Sequence, residues 1–176
     1  MSPSRHQSVI LIGMPGAGKS TIGVLLAKEL GLGFLDTDLA IQLREGRTLQ
    51  EILDGSDYLD LRRIEEEVLL ETDCHGQVIA TGGSAVYSEA GMAHLKACGP
   101  TVFLDVPLDV LRRRIHNYEH RGIARRPGQS FASLFEERTV LYRRYADLTV
   151  TCTDHLPGEV VDDIVAALAA LHTTPA

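Results

Sequence analysis

The sequence is poor in aromatic residues: five tyrosines, four phenylalanines and no tryptophan occur in 176 residues. Positive charge is also scarce, since 17 Lys and Arg stand against 24 Asp and Glu, for a formal net charge of -7. Proteins that bind nucleic acid combine a basic surface with rings on which bases stack. We therefore expect no nucleic-acid partner, and any anion site must be local.

Cysteines and long apolar runs are few as well. Cys74, Cys98 and Cys152 are widely spaced and form no C-x-x-C pair, which argues against a zinc site and a disulfide framework and favours reduced thiols of a cytoplasmic protein. No run approaches the roughly 20 apolar residues that cross a bilayer. The polar residues 1–7 lack the apolar core of a signal peptide. We expect no membrane partner.

Short apolar runs alternate with segments of helical period along the chain. The predicted strands are residues 8–12, 34–35, 77–80, 101–106 and 148–150. The predicted helices are residues 19–30, 39–44, 49–53, 57–71, 89–97, 108–117, 131–146 and 159–171. Such alternation is typical of an α/β fold with a parallel sheet and crossover helices. The length suits one domain, residues 1–176.

The segment GMPGAGKS, from Gly13 to Ser20, matches G-x-x-x-x-G-K-[ST] between an apolar strand and a helix. Backbone N–H groups of such a loop face phosphates. Lys19 is predicted to reach the β- and γ-phosphates of ATP as a catalytic residue, and Ser20 to ligate Mg²⁺. The alternative is a glycine-rich turn without a ligand. The predicted ATP-binding residues here are Gly13, Gly16, Ala17, Gly18, Lys19, Ser20 and Thr21.

Two aspartates, Asp36 and Asp38, follow the second predicted strand, at the sheet edge where α/β proteins bind ligands. Beside a triphosphate, one carboxylate can support Mg²⁺ and the other can accept a proton from an attacking hydroxyl. The alternative for Asp38 is helix capping.

Further motifs follow in order: FLDTD at residues 34–38, LRRIE at 61–65, ATGGS at 80–84, RTVLY at 138–142 and YRRYAD ending at Asp147. With them the sequence resembles the shikimate kinase family over nearly the whole chain. The resemblance implies a P-loop three-layer sandwich with a five-stranded parallel sheet between helices and a mobile lid. It also implies ATP-dependent phosphorylation of the 3-hydroxyl of shikimate in aromatic amino acid (chorismate) biosynthesis, by a protein that we expect to be a monomer.

The same resemblance assigns roles residue by residue. Asp36, with Ser20, lies near Mg²⁺, and Asp38 binds and activates the acceptor. Arg62, oriented by Glu65, and Arg138 grip the substrate carboxylate, and the backbone of Gly82 and Gly83 approaches the substrate. Arg114 contacts adenine, and Arg121 is the catalytic arginine of the lid. For the arginines, the alternative is a surface salt bridge with a nearby glutamate.

The sequence departs from the family pattern in and around the acceptor pocket. Arg121 is followed by Gly122 and Ile123 rather than by Pro-Leu, and an Arg-Pro pair comes later, at residues 126–127. Ser84 replaces a glycine, and Leu61 replaces a phenylalanine. The segment of residues 118–130 is either the lid or a solvated loop. These departures leave open a kinase for another hydroxylated acid or sugar acid. A further alternative is a non-enzymatic nucleotide-binding protein, against which the intact Lys19, Ser20, Asp36 and Asp38 count.

Overall fold

A computed structural model describes residues 7–171, so the polar residues 1–6 discussed above lie outside the described part of the chain. The strands are β1 (Val9–Ile12), β2 (Gly33–Asp36), β3 (Gln77–Ala80), β4 (Thr101–Asp105) and β5 (Leu148–Thr151). The helices are α1 (Lys19–Leu30), α2 (Thr37–Glu45), α3 (Leu49–Gly55), α4 (Tyr58–Glu71), α5 (Glu89–Cys98), α6 (Leu108–Arg114), α7 (Phe131–Tyr145) and α8 (Pro157–Leu171). Two short 3-10 turns, Ala85–Tyr87 and Tyr118–His120, complete the list.

The five strands form one parallel sheet in the order β2-β3-β1-β4-β5. The predicted five-stranded α/β fold is confirmed. Strand β1 lies between β3 and β4 and is fully buried. All strands point the same way, so the segments that follow β1, β2 and β3 meet at one edge of the sheet. The loop after β1, Asp36 and the ATGGS motif are thereby brought together.

Two hydrophobic clusters hold the fold. The larger one covers the sheet and includes α1, α5, α7 and α8. The smaller one joins helices α2, α3 and α4 to residue Ala124, which lies within the predicted lid. Its buried members are Ile41, Ile52, Leu61, Ile64, Val68 and Ala124. The helices near the acceptor side therefore have a core of their own, which the lid helps to close.

Short polar residues and a glycine define several helix ends. Thr48 and Glu51 form a capping box at α3, Ser88 caps α5, and Gly31 ends α1 in the left-handed conformation. Helix α2 begins at Thr37, two residues earlier than predicted, because the Asp36 carboxylate accepts hydrogen bonds from the N–H groups of Asp38 (2.9 Å) and Leu39 (3.2 Å). The helix cap is thus Asp36, and the capping alternative for Asp38 is wrong.

Helix α6 is shorter than predicted and ends at Arg114 instead of residue 117. Ile115 leaves the helix with an extended backbone, and its side chain is buried against Gly16. Packing beneath the loop after β1 therefore ends the helix where periodicity alone would continue it.

The interpretation of the cysteines as reduced thiols is wrong for two of the three. Cys74 follows α4 and Cys98 ends α5, and the packing of these helices brings their Cα atoms within 4.9 Å, so that a disulfide joins them. His94 Nε2 lies 3.5 Å from Cys74 Sγ, but the bonded sulfurs do not provide thiolate ligands for a metal. Cys152 is free and buried.

No helix among residues 7–171 combines the length and the hydropathy that a membrane span requires.

The carboxylate of Asp147 joins the beginnings of β4 and β5 to α5. It accepts hydrogen bonds from the Thr101 N–H and from Lys96 Nζ, both at 2.8 Å, while its own N–H donates to the Thr101 carbonyl. Asp147→Ala is expected to lower the free energy of unfolding by about 2 kcal/mol, because a main-chain N–H loses its charged acceptor. Urea denaturation measures this change.

The matched control is Asp154→Ala. The Asp154 side chain is 91% exposed, and its contact with Arg113 is 3.9 Å long, so the substitution should change stability by no more than about 0.5 kcal/mol. Equal stability of the two variants would show that the Asp147 contacts contribute nothing.

Candidate active site

The loop between β1 and α1 wraps around Lys19. Gly16 (φ +84°) and Gly18 (φ +91°) have left-handed backbones that favour glycine, and Gly18 lies directly before the first turn of α1. Lys19 Nζ donates hydrogen bonds to the carbonyls of Gly13 (2.6 Å) and Met14 (2.8 Å). Burial lowers the pKa of Lys19 to about 8, although the neighbouring Asp38 opposes this shift. The ammonium thus remains largely protonated at neutral pH.

Ser20 and Asp36 are paired at the beginning of α1. The Ser20 hydroxyl donates to Asp36 Oδ2 at 2.5 Å, while the other carboxylate oxygen caps α2. A hydroxyl and a carboxylate oxygen held side by side, next to a phosphate-binding loop, are the hard ligands that Mg²⁺ prefers. The residues present therefore fit the predicted metal.

Two further carboxylates, those of Asp38 and Glu65, lie against the Cα atom of Gly82. A Cβ atom on Gly82 would stand 2.5 Å from Asp38 Oδ1 and 2.5 Å from Glu65 Oε1, so only a residue without a side chain leaves room for both. The Gly82 N–H donates to Thr37 Oγ1 at 3.0 Å. Ser84 donates a short hydrogen bond to Glu65 Oε2. The resemblance implies that Glu65 orients Arg62. In the structure, Glu65 Oε2 accepts its hydrogen bond from Ser84.

Burial shifts the pKa of both carboxyl groups upward. The pKa of Asp38 is raised to about 6, first by burial and then by the charge of Asp36. The pKa of Glu65 is raised to about 7, again by burial first and then by Asp38. The two groups are coupled, since each carries negative charge near the other. Near neutral pH, Asp38 is a deprotonated base of moderately raised pKa.

Two guanidinium groups lie near these carboxylates, Arg62 on α4 and Arg138 on α7. Both face the ring of Tyr87, with Cζ-to-centroid distances of 3.5 Å for Arg62 and 5.5 Å for Arg138. Arg138 Nη2 donates to the Ala124 carbonyl at 2.6 Å. Within residues 7–171, neither arginine forms an ion pair, and Arg62 Nε, Arg62 Nη2 and Arg138 Nε are buried without a hydrogen-bond partner. The surface salt-bridge alternative is therefore wrong for both.

A cavity of about 350 Å³ unites most of the predicted site residues. The predicted residues that line it are Gly16, Gly18, Lys19, Ser20, Thr21, Asp38, Gly83, Arg114, Arg121 and Arg138, with Glu65 beside them. The predicted residues that do not line it are Gly13, Ala17, Asp36, Arg62 and Gly82. Of these, Asp36 accepts a hydrogen bond from the lining residue Ser20, and Gly82 lies against Asp38 and Glu65. Arg62 stacks on Tyr87, whose ring also faces the lining residue Arg138. The roles assigned to all of these residues stay predictions.

The predicted lid, residues 118–130, contributes residues to the wall of this cavity, and hydrogen bonds join parts of the segment to one another. Arg121, Gly122, Ile123 and Ala124 line the cavity, and the Gly122 N–H donates to Gln50 Oε1 on α3 at 2.9 Å. The Tyr118 hydroxyl donates to the Gln129 carbonyl at 3.1 Å. The segment is thus more than a solvated loop, and its mobility stays a prediction. Arg114 lies near the phosphate loop and donates to the Gly16 carbonyl at 3.3 Å.

Sequence reasoning missed several residues of the site. Pro15, Leu49, Ile123 and Ala124 line the cavity, and Tyr87 lies between the two arginines. Pro15 belongs to the phosphate-binding motif and could have been found there. Tyr87 follows the ATGGS motif by three residues but has no periodic signal, because it lies on a single 3-10 turn.

The site therefore combines a phosphate-binding loop, a pair of oxygen ligands, a buried base and two guanidinium groups with unused donors. Such a set can hold a nucleotide triphosphate, bind an acidic molecule in two-point fashion and accept a proton from its hydroxyl.

Comparison with known proteins agrees with this chemistry. The family model described as shikimate kinase matches residues 15–169. The shikimate kinase of Mycobacterium avium (strain 104) is 42% identical over 164 residues, which cover 92% of this chain and 93% of that protein. The shikimate kinase of Aquifex aeolicus (strain VF5) is 35% identical over 161 residues, which cover 91% and 95%.

Solved structures give the same result. The shikimate kinase from Acinetobacter baumannii in complex with shikimate aligns over 96% of each chain, with a TM-score of 0.86 and 27% identity. The shikimate kinase from Aquifex aeolicus aligns over 95% of this chain and 99% of that one, with a TM-score of 0.81 and 34% identity. A gluconokinase from Sinorhizobium meliloti 1021 has a TM-score of 0.58 at 22% identity, which shows a shared fold alone.

The raised pKa of Asp38 predicts a pH-dependent cost to stability. The folded-state pKa of about 6 exceeds the ordinary value of 3.8, so the folded protein binds a proton at Asp38 more tightly than the unfolded chain does. The resulting contribution to the free energy of unfolding is fully present below pH 4 and is lost as the pH rises through 6. Asp38→Asn is expected to raise the free energy of unfolding at pH 8 by on the order of 1 to 3 kcal/mol, and less at pH 4.5.

Urea denaturation between pH 4.5 and pH 8 measures this gain, and the exposed Asp154→Asn is the control, for which no pH-dependent gain is expected. A gain from Asp38→Asn that is the same at every pH would contradict the buried-carboxyl assignment.

Proposed function

Because the chain belongs to the shikimate kinase family and is an ATP-dependent kinase, we propose that it transfers the γ-phosphoryl group of ATP to the 3-hydroxyl of shikimate. The products are shikimate 3-phosphate and ADP. The reaction serves chorismate biosynthesis, which leads to the aromatic amino acids.

The observation that carries the substrate assignment is a pair of guanidinium groups with unused donors, one on the partly buried Arg62 and one on the fully buried Arg138. Three nitrogen atoms, Nε and Nη2 of Arg62 and Nε of Arg138, are buried without a partner among the described residues. A buried charged donor without an acceptor costs free energy. A ligand that supplies the missing acceptor therefore gains affinity, and a ligand without one binds much more weakly. A carboxylate supplies acceptors in the geometry that a guanidinium fork matches. This supports an acid as the acceptor, in agreement with the family.

Asp38 is the proposed general base. Its carboxylate lines the cavity next to Lys19 and Gly83, and a pKa near 6 leaves it deprotonated at neutral pH yet basic enough to take a proton from a hydroxyl. Glu65 is the proposed partner that holds the acceptor side in place, through its hydrogen bond from Ser84.

Lys19 is proposed to contact the β- and γ-phosphates, with Arg121 approaching them from the lid and Arg114 beside the adenine. Gly13, Gly16, Ala17, Gly18 and Thr21 complete the proposed nucleotide site. Ser20 and Asp36 would hold Mg²⁺, which neutralises the charge that develops on the phosphate oxygens. The paired oxygens of these two residues support this assignment.

A monomer in the cytoplasm is proposed as the working state of the protein. The fold completes the cavity from one chain, with helices of both clusters contributing to it. The disulfide between Cys74 and Cys98 is unusual for a reducing compartment, so the redox state of these thiols in cells is a direct check on the location.

The proposed function is tested by ADP release from Mg-ATP in the presence of one acceptor at a time. The acceptors are shikimate, shikimate carboxamide and gluconate. We expect turnover with shikimate and a loss of at least tenfold in kcat/KM with the neutral amide, because the arginines lose their anion. Turnover with gluconate and none with shikimate would replace the acceptor by a sugar acid, and equal turnover of shikimate and its amide would refute the carboxylate clamp.

Arg62→Ala is expected to raise KM for shikimate at least tenfold, because a hydrogen bond to a charged group contributes about 1.5 to 3 kcal/mol. The matched control is Arg63→Ala on the same helix. Arg63 is exposed and pairs with Asp60 and Glu67, so its loss should leave KM within about twofold. Steady-state kinetics at saturating ATP measure both variants. An equal effect of the two substitutions would mean that Arg62 acts through helix stability alone.

The lid is expected to close over ATP and shikimate, because closure excludes water and brings Arg121 to the phosphates. Hydrogen exchange should slow at least tenfold across residues 118–130 when both ligands are bound. Helix α8, which lies outside the cavity lining, is the internal reference. Exchange that is already slow without ligands and unchanged with them would rule out a mobile lid.

A further inference from the structure

Tyr87 occupies a central place in the acceptor side of the site. It ends the short 3-10 turn that follows the ATGGS motif, and its side chain is half-buried. Arg62 and Arg138, which come from different helices, both present their guanidinium groups to its ring. No motif of the sequence pointed to this residue.

We propose that Tyr87 is a positioning residue, whose ring holds Arg62 and Arg138 ready for the acceptor carboxylate and whose hydroxyl links this pair to the lid through Glu137. The inference rests on the proposed function, because the two arginines act as a clamp only if the acceptor is an acid.

The geometry explains how a ring can hold an arginine side chain without using its hydrogen-bond donors. Arg62 Cζ lies 3.5 Å from the ring centroid of Tyr87, so the face of the guanidinium is stacked. A carboxylate binds the edge of a guanidinium, in its plane. Stacking therefore restrains the side chain while Nε and Nη2 of Arg62 keep their donors, and these atoms have no partner among residues 7–171. An acidic neighbour would restrain the arginine by using those same donors.

Arg62 is held from a second side by Tyr58, whose ring centroid lies 5.0 Å from Cζ. Arg138 is more distant from Tyr87, at 5.5 Å, and is fixed by its hydrogen bond to the Ala124 carbonyl. Tyr87 is thus the one ring that faces both arginines within the described chain. The two like charges still repel each other, since Arg138 contributes to lowering the pKa of Arg62, so contacts such as this stacking are needed to keep them together.

The hydroxyl of Tyr87 connects this arrangement to the lid. It donates to Glu137 Oε1 at 2.5 Å. The other oxygen of Glu137 accepts from Gln129 Nε2 at 3.1 Å and pairs with Arg126 Nη2 at 2.8 Å. Arg126 and Gln129 both belong to the predicted lid, and Glu137 precedes Arg138 on α7. The Arg126-Pro127 pair, which the family pattern left unexplained, therefore anchors the end of the lid to the turn that carries Tyr87.

Two variants separate the functions of the ring and the hydroxyl. Tyr87→Leu removes the stacking surface and should raise KM for shikimate about tenfold, with KM for ATP changed by less than twofold. Tyr87→Phe keeps the ring but removes a hydroxyl that also contacts Arg138, so KM for shikimate should rise less than in Tyr87→Leu, by no more than about threefold. Without the bond to Glu137, hydrogen exchange across residues 118–130 should become faster in this variant.

The matched control is Tyr145→Leu. Tyr145 also lies near an arginine, with Arg144 Cζ 5.5 Å from its ring centroid, but it is outside the cavity lining. Both Michaelis constants should stay near those of wild type. A Tyr87→Leu protein with an unchanged KM for shikimate, or with both constants raised equally, would overturn the positioning role. Unchanged lid exchange in Tyr87→Phe would overturn the link through Glu137.

A readout without substrate separates this inference from the proposed function. In the wild-type protein labelled with ¹⁵N-arginine, the ring current of Tyr87 should move the Arg62 Nε–H resonance upfield, and the Arg63 resonance provides the reference. If wild type shows the shift but does not phosphorylate shikimate, the proposed function fails and the positioning role stands. An Arg62 resonance at the position of Arg63 overturns the positioning role, even if Tyr87→Leu fails to fold.

Discussion

The burial of charge at the carboxyl edge of the sheet is the constraint on which the rest of the structure depends. Lys19, Glu65 and Arg138 are nearly inaccessible to solvent and Asp38 is partly buried, although each prefers water. Attraction between opposite charges and a few hydrogen bonds offset only part of the free energy that is lost when these groups leave water. The pKa of Lys19 therefore falls, and the pKa values of the two acids rise. A fold that keeps such groups buried gives up stability for chemistry.

The two halves of the site are supported differently. The phosphate-binding loop follows β1, which is buried between two neighbouring strands and belongs to the larger core. The acceptor side depends on α2, α3 and α4 and on their separate cluster, which the lid residue Ala124 completes. A small core opens at lower cost than a large one. We therefore expect the nucleotide half to be the more rigid part and the acceptor half to rearrange around its ligand.

Several departures from the family pattern become intelligible in the structure. Ser84, which replaces a glycine, donates its hydroxyl to Glu65 and so satisfies one oxygen of a buried carboxyl group. Gly122, which follows the lid arginine, has a left-handed backbone (φ +66°), and a Cβ atom there would stand 2.6 Å from Leu49 Cβ. The lid thus approaches α3 closely at a point where only glycine fits. These changes alter the walls of the pocket and leave the two arginines and Asp38 in place.

The sequence by itself determined the fold class, the phosphate-binding loop and most of the residues around the cavity. These features are local: periodicity reports which face of an element is buried, and a contiguous motif carries its own geometry. Only the tertiary structure decided that Asp36 rather than Asp38 caps α2, that Cys74 meets Cys98, and that Tyr87 lies between Arg62 and Arg138. Each of these facts depends on how helices and turns distant in sequence pack against one another, and neither spacing nor composition encodes that packing in a form that can be read along the chain.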